Sequence, residues 1–244
     1  MKPLKTIVIG IDCAVDPKKR GVAIGSYDGT MCTVVLPSAK TDKEVALLVS
    51  QCVKQSDRIL LAMDAPLGWP AALGNVLNSH QAGDPISADA NSLFRRETDQ
   101  FIKEKIGKQP LDVGADRIAR TAHSALGILA AIDFEVPLAW LPNFSGTAAI
   151  EVYPAATLKA YGLPNTGYKT MEHRNTREQI LLGLSKSIES LMDKQSILDN
   201  ADTLDAVVCV LAGLDFIKDN CYKPSTTQQE LAYKEGWIWV KRDE

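Results

Sequence analysis

The chain has 244 residues, 45% of them hydrophobic and 23% charged, a balance that excludes a disordered protein and supplies enough apolar side chains for a sizeable core. A formal charge of −3 excludes a broadly basic nucleic-acid coat, although it leaves room for local basic patches. Five cysteines (Cys13, Cys32, Cys52, Cys209 and Cys221) are scattered without a C-x-x-C pair, and all but Cys221 have apolar neighbours. The odd count and the spacing speak against a disulfide framework and a zinc site, so a reducing, cytoplasmic compartment is the simplest expectation. No run approaches the ~18 uncharged apolar residues of a membrane span, and the opening MKPLKTIVIGIDC reads as a strand, not a signal peptide.

Thr6 to Ile11 is a β-branched run closed by Asp12, the pattern of a buried central strand. Val15 to Arg20 turns the chain, and Gly21 to Gly25 forms a second strand. Tyr27-Asp28-Gly29-Thr30 carries an Asp-Gly hairpin signal, so Met31 to Leu36 should pair antiparallel with that strand. Thr41 and Glu44 have capping-box spacing, and Val45, Leu48, Val49, Cys52 and Val53 recur at helical period. Arg58 to Met63 is a fourth strand ending at Asp64, parallel to the first through a right-handed crossover. From Trp69 to about Gly146 the rhythm breaks into Pro- and Gly-rich turns, a helix near Ala90 to Ile106 and another from about Ala115 to Ile132. This stretch reads as a helical insertion over one end of the sheet, not a separate domain. Thr147 to Val152 is a fifth strand. Arg174 to Met192 is a helix with Ile180, Leu181, Leu184, Ile188 and Leu191 inward, Ala201 to Ile217 is another helix, and Gly236 to Val240 adds a short final strand. The expectation is one α/β domain over 1–244 with a mixed five-stranded sheet, a three-strand antiparallel meander plus parallel strands. The turn Asp12-Cys13-Ala14-Val15 lacks G-x-G-x-x-G, which excludes a dinucleotide-binding doubly wound domain.

Four carboxylates fall where such a sheet places ligands. Asp12 and Asp64 end strands that parallel pairing would bring to one sheet edge, outside which open α/β sheets bind their ligands. Glu151 lies in the fifth strand, so strand polarity decides where it points. Asp202 and Asp205 share a face at i, i+3 near the start of a helix. Asp202 suits the helix dipole, whereas Asp205, among Ala206, Val207, Val208, Val210 and Leu211, needs a partner or a metal. A single strand-end aspartate is as often a turn cap as a ligand. Four together suit a hard divalent cation.

At these residues the chain resembles a family of predicted nucleases with an RNase H-like fold, domain of unknown function 429. The resemblance rests on GIDCA at Gly10 to Ala14, AMDAPLGWP at Ala62 to Pro70 and FRRETD at Phe94 to Asp99. It continues through PLDVGADRIARTA at Pro110 to Ala122, EVYPAATLKAYG at Glu151 to Gly162 and LDAVVCVLAG at Leu204 to Gly213. It implies an RNase H-like domain in which Asp12, Asp64 and Asp205, with Glu151 as an addition, bind two Mg²⁺ or Mn²⁺ ions that hydrolyse phosphodiesters of a nucleic acid. Two such ions activate a water and stabilise the leaving oxygen, so no histidine base is required.

Around this site, Arg96, Arg117 and Arg120 (with Arg95) have the forked guanidinium of a phosphate clamp, and Lys19 lies in the turn after Asp12. Helix caps and pairing with Glu97, Asp99 and Asp116 account equally well for the arginines, and a solvated run is the simpler account of Lys18, Lys19 and Arg20. Two other readings stand beside the nuclease. A phosphotransferase related to actin-like ATPases would want small or hydroxyl residues after the first aspartate and a second glycine-rich loop, which Cys13-Ala14 and Gly21 supply poorly. A non-catalytic nucleic-acid or nucleotide-binding protein would keep the fold without assembling a tight metal site. A homo-oligomer is compatible with the sequence.

Overall fold

Thr6–Asp12 (β1), Gly21–Tyr27 (β2) and Cys32–Val35 (β3) form an antiparallel meander in the computed structural model, which describes residues 5–114 and 116–243. Asp42–Val53 (α1) follows. Its Thr41–Glu44 capping box is formed as the spacing predicts, and Val45, Val49 and Cys52 are buried. Arg58–Asp64 (β4) then lies parallel to β1, and Gly146–Glu151 (β5) lies parallel to β4. A strand that periodicity could not reveal, the two-residue Ser190–Leu191 (β6), joins the far edge parallel to β3, so the order is β5-β4-β1-β2-β3-β6.

The stretch between β4 and β5 is helical, as expected, with Ala71–Leu77 (α2), Ala90–Phe94 (α3), Glu97–Ile106 (α4) and Asp116–Ala131 (α5). The expected start of the last at Ala115 lies outside the described residues. The expected single helix from Ala90 to Ile106 is two. Arg95 and Arg96 are extended, and Asp99 accepts from the Arg96 backbone N–H at 2.9 Å, which starts a new helix there. After β5 come Pro154–Ala160 (α6), Arg174–Leu184 (α7), Lys194–Asp199 (α8), Ala201–Ile217 (α9) and Gln229–Glu235 (α10). The helix expected to run to Met192 ends at Leu184, where Ser185-Lys186-Ser187 offers weak propensity; Ile188 and Leu191 are buried from a loop and from β6. Gly236 to Val240 forms no strand and touches β5 at the isolated bridge between Ile238 and Glu151. All five cysteines are free and buried, Cys221 included. No helix among the described residues is long and apolar enough to cross a membrane.

Alternation along the strands gives the sheet two apolar faces. Ile7, Ile9, Ile11, Ile59, Leu61 and Met63 pack towards α1 and α5, whereas Val8, Leu60, Ala62, Ala148 and Ile150 pack towards α9 and its neighbours. The fold is thus a mixed α/β sheet covered on both faces. Every residue of α9 from Leu204 to Phe216 is buried, as befits a helix apolar on all sides. It can sit directly on the sheet because the strands beneath carry glycines. A Cβ on Gly10 would stand 2.1 Å from the Ala206 carbonyl oxygen, and one on Gly21 would stand 2.0 Å from that of Asp202. At the sheet's other flank, Glu235 holds two helix starts at once, accepting from the Ala71 N–H at 2.7 Å and the Glu97 N–H at 2.8 Å.

Gly10→Ala should therefore force α9 off the sheet. We expect a loss of about 2–4 kcal/mol, at or above the usual overpacking range, in urea unfolding. An unchanged midpoint would show that the helix rides higher than this contact requires.

Candidate metal centre

The register of the sheet decides which carboxylates meet. Asp12 and Asp64 are direct partners across the parallel β1–β4 pair. Both continue the parity of Val8, Leu60 and Ala62, the residues that face α9. Asp205 lies in the second turn of α9, above them. One oxygen from each of Asp12, Asp64 and Asp205 lies within 4.8 Å of the others, a spacing that could hold a metal ion. Asp202 sits one turn earlier, half-buried at the start of α9, so of the two helix aspartates it is Asp205 that reaches the cluster.

Three carboxylates brought this close out of water repel. Burial pushes the Asp12 carboxyl well above its ordinary range, and Asp64 and Asp205 add to the effect. Burial also raises Asp64, to about 8, with Asp205 contributing. Asp205 is raised by burial and held back by Lys169. Its Oδ1 accepts from the Tyr168 hydroxyl at 2.7 Å. Its Oδ2 accepts no well-formed hydrogen bond among the described residues and meets only the Lys169 ammonium, at 2.7 Å. A buried oxygen left so poorly satisfied, beside two more carboxylates, is the all-oxygen donor set that a hard divalent cation takes.

Glu151, the fourth carboxylate singled out from sequence, borders the same cleft, as does Arg96, but is not in this cluster. It pairs in register with Met63, one residue short of Asp64, and so has the parity of Ala149, on the face away from α9. There Arg96 donates to both of its oxygens, at 2.6 and 2.7 Å, and the Leu67 N–H donates to Oε2 at 3.0 Å. The same guanidinium reaches both oxygens of Asp99, at 2.8 and 3.1 Å, and the Glu235 carbonyl at 3.1 Å. Arg96 is 1% exposed, with its donors spent within the protein. The phosphate-clamp reading of Arg96 is thus replaced by pairing with Asp99 and Glu151.

The other cations expected at the rim lie elsewhere. Arg117 and Arg120 are exposed on α5, where Ile118 and Thr121 are the residues that line the cleft. Arg95 pairs with Asp112. Lys18 and Lys19 are exposed in a 3₁₀ turn, Pro17–Lys19. Arg20, expected as a solvated charge, is buried and ties β2 to Asp42 and the Lys40 carbonyl. The cleft in front of the triad measures about 510 Å³ and is walled by Lys108, Tyr153, Asn165, Tyr168 and Lys169. None of these five was picked out from sequence. They follow α4 and β5 in irregular segments where no periodicity marks a face, and only the YK pair beside a buried acid could have drawn notice.

Two consequences can be measured. Arg96→Ala strands two buried carboxylates, and breaking a buried ion pair costs about 3–5 kcal/mol, so the variant should lose that much in chemical denaturation. A loss below about 1 kcal/mol would place Arg96 in solvent. The second concerns pH. Asp64 binds its proton more tightly folded than unfolded, so folding is favoured below its unfolded value near 3.8 and loses stability as pH rises towards about 8. In chelator, the parent should melt lower at pH 8 than at pH 5. Asp64→Asn should lessen that dependence, by an amount on the order of 1–3 kcal/mol. Parallel pH profiles for the two proteins would exclude repulsion at the triad.

No curated protein and no solved structure matches the chain. The family described as Protein of unknown function (DUF429) matches residues 10–229. That span takes in all three aspartates, the Arg96–Glu151 pair and every cleft-lining residue except Ile238. The chain belongs to the DUF429 family.

Proposed function

We propose that this protein is a divalent-cation-dependent phosphodiester hydrolase, a nuclease of RNase H-like architecture, with Mg²⁺ or Mn²⁺ held by Asp12, Asp64 and Asp205. The observation that carries the reading is the convergence of those three side chains within 4.8 Å at the carboxyl edge of parallel strands, facing an open cleft. The order β5-β4-β1-β2-β3, a meander continued by parallel strands, supports the architecture, with β6 as an edge addition.

When bound, a divalent cation supplies Lewis-acid polarisation of a phosphoryl oxygen and a nucleophile at neutral pH. The chain's own part is position. The β1–β4 register fixes Asp12 beside Asp64, and the Tyr168 hydroxyl fixes the rotamer of Asp205 through Oδ1. Tyr153, only partly buried, gives the cleft a flat apolar wall of the kind on which a base stacks. In the hydrolysis, a water oxygen bonds to phosphorus as the ester P–O bond breaks, and the water's proton ends on the departing alcohol. No histidine lines the cleft among the described residues, so carboxylates and solvent carry the proton.

Asp12→Asn keeps the shape and removes one of the repelling charges. Without divalent ions the variant should melt at an equal or higher temperature than the parent. With Mn²⁺ the parent should gain about 2.7 kcal/mol at a hundred times its dissociation constant, and the variant little of it. Mn²⁺-dependent cleavage of labelled DNA and RNA probes should fall at least about 100-fold in the variant, as loss of a metal ligand implies. A variant that keeps both the metal response and the cleavage would sink the proposal.

A further inference from the structure

The two-ion arrangement implied by the family resemblance needs more negative charge than this cleft provides. Glu151 is spent on Arg96, which leaves three carboxylates at the centre. A cation of the chain's own already stands among them. The Lys169 ammonium lies 2.7 Å from Asp205 Oδ2, and it acts electrostatically on Asp64 and Asp12 as well. Three carboxylates are neutralised by one divalent ion together with this ammonium. Two divalent ions and the ammonium would exceed the charge of these three carboxylates by two, of which Asp202, a turn away on α9, offsets one, before any substrate arrived.

Lys169 is not a surface side chain that happens to reach an acid. Exposed ion pairs contribute little because both partners are well solvated apart. Here Asp205 is 1% exposed and its Oδ2 has no alternative partner among the described residues, so removing the ammonium strands a buried charge. The backbone around Lys169 is held from both sides. Arg177, buried to 2% exposure, donates through Nη1 to the Tyr168 carbonyl at 2.6 Å and to the Thr170 carbonyl at 2.8 Å. Its Nε is fixed in turn on the Leu198 carbonyl at 2.6 Å, just before α9 begins. Tyr168 is itself buried and bonded to Asp205 Oδ1, so adjacent residues serve the two oxygens of one carboxylate. The Lys169 side chain is 62% exposed overall, while its ammonium meets the buried Asp205. A compact ammonium with three donors on a flexible stem suits that place better than a planar guanidinium would.

We infer that Lys169 is a resident cation of the centre, standing where a second divalent ion would otherwise be needed, so that the protein binds one divalent ion and presents Lys169 to the substrate phosphate. This rests on the reading of the triad as a divalent-cation site. It makes Lys169 a phosphate-binding residue of the cleft in place of the arginines expected from sequence.

The test is Mn²⁺ binding to the metal-free full chain, with stoichiometry from calorimetry and free Mn²⁺ counted by electron paramagnetic resonance. The parent should bind one ion, and Asp64→Asn should abolish it. Lys169→Met keeps the stem and removes the charge. It should admit a second ion, or bind the first at least about tenfold tighter, as loss of a like charge at contact range implies. Lys169→Arg should remain at one ion. Near-ultraviolet circular dichroism, recorded alongside, checks that both variants fold. Two ions in the parent, both lost in Asp64→Asn, would overturn the inference and leave the metal centre standing. So would a Lys169→Met protein that binds one ion with unchanged affinity. Mn²⁺ binding indifferent to Asp64→Asn, or absent from the parent, would overturn the metal-centre reading and the inference with it.

Discussion

A helix backbone resting on strand backbone, with no side chain between them, is the contact on which the rest of this structure depends. Gly10 and Gly21 leave room for the carbonyl oxygens of Ala206 and Asp202, and any larger residue would lift α9 away. That approach fixes the height and register of the helix on the sheet. Asp205 then hangs directly over the strand ends. The same contact makes α9 a central element, apolar on every side, so its outer surface must be covered. That requirement is met by α6, α7 and α8 and by the tryptophans near the end of the chain, Trp237 and Trp239.

The carboxylates divide into two groups with opposite electrostatic fates, and a single residue of register separates them. Glu151 and Asp99 share a buried arginine whose donors are all occupied, a closed arrangement that stabilises the sheet edge. Asp12, Asp64 and Asp205 share only the tip of Lys169 and raise one another's affinity for protons. A protein selected for stability alone would neutralise both groups alike. Leaving one group short of positive charge, at the mouth of a cleft, is the kind of local sacrifice that functional sites display.

Much of this could be read from the chain. Strand parity and an Asp-Gly turn were enough to order β1 to β4, because side-chain alternation is a local property. The pairing of Asp12 with Asp64 followed from that order. The capping box at Thr41 and the extent of α9 were equally plain, since both are written within a few residues. What could not be read was set by partners distant in sequence. Arg96 looked like a phosphate ligand because of its forked guanidinium among the arginines of the insertion; its pairing with Asp99 was the alternative legible nearby, but its burial comes from Glu151 and Glu235, far along the chain. Glu151 looked like a fourth ligand because a strand-end acid does not announce its parity until the register with β4 is known. Lys169 stands in a loop with no period, and its place follows only from the buried Arg177 that brackets it. The two-residue β6 carries no signal of its own at all.

Glu235 has a bearing on how the protein is made. Its one carboxylate receives the first N–H groups of both α2 and α4, and its carbonyl receives Arg96. Helices of this length do not persist alone in water, because nucleation outweighs what a turn or two can return. During translation the insertion leaves the ribosome well before the residue that organises it. A ribosome that has finished α5 has therefore released helices without their clasp, next to strands whose edge is still unpaired and apolar. The nascent chain must wait in that condition, exposed to other chains and to chaperones, until Glu235, far beyond α5 in sequence, has been synthesised.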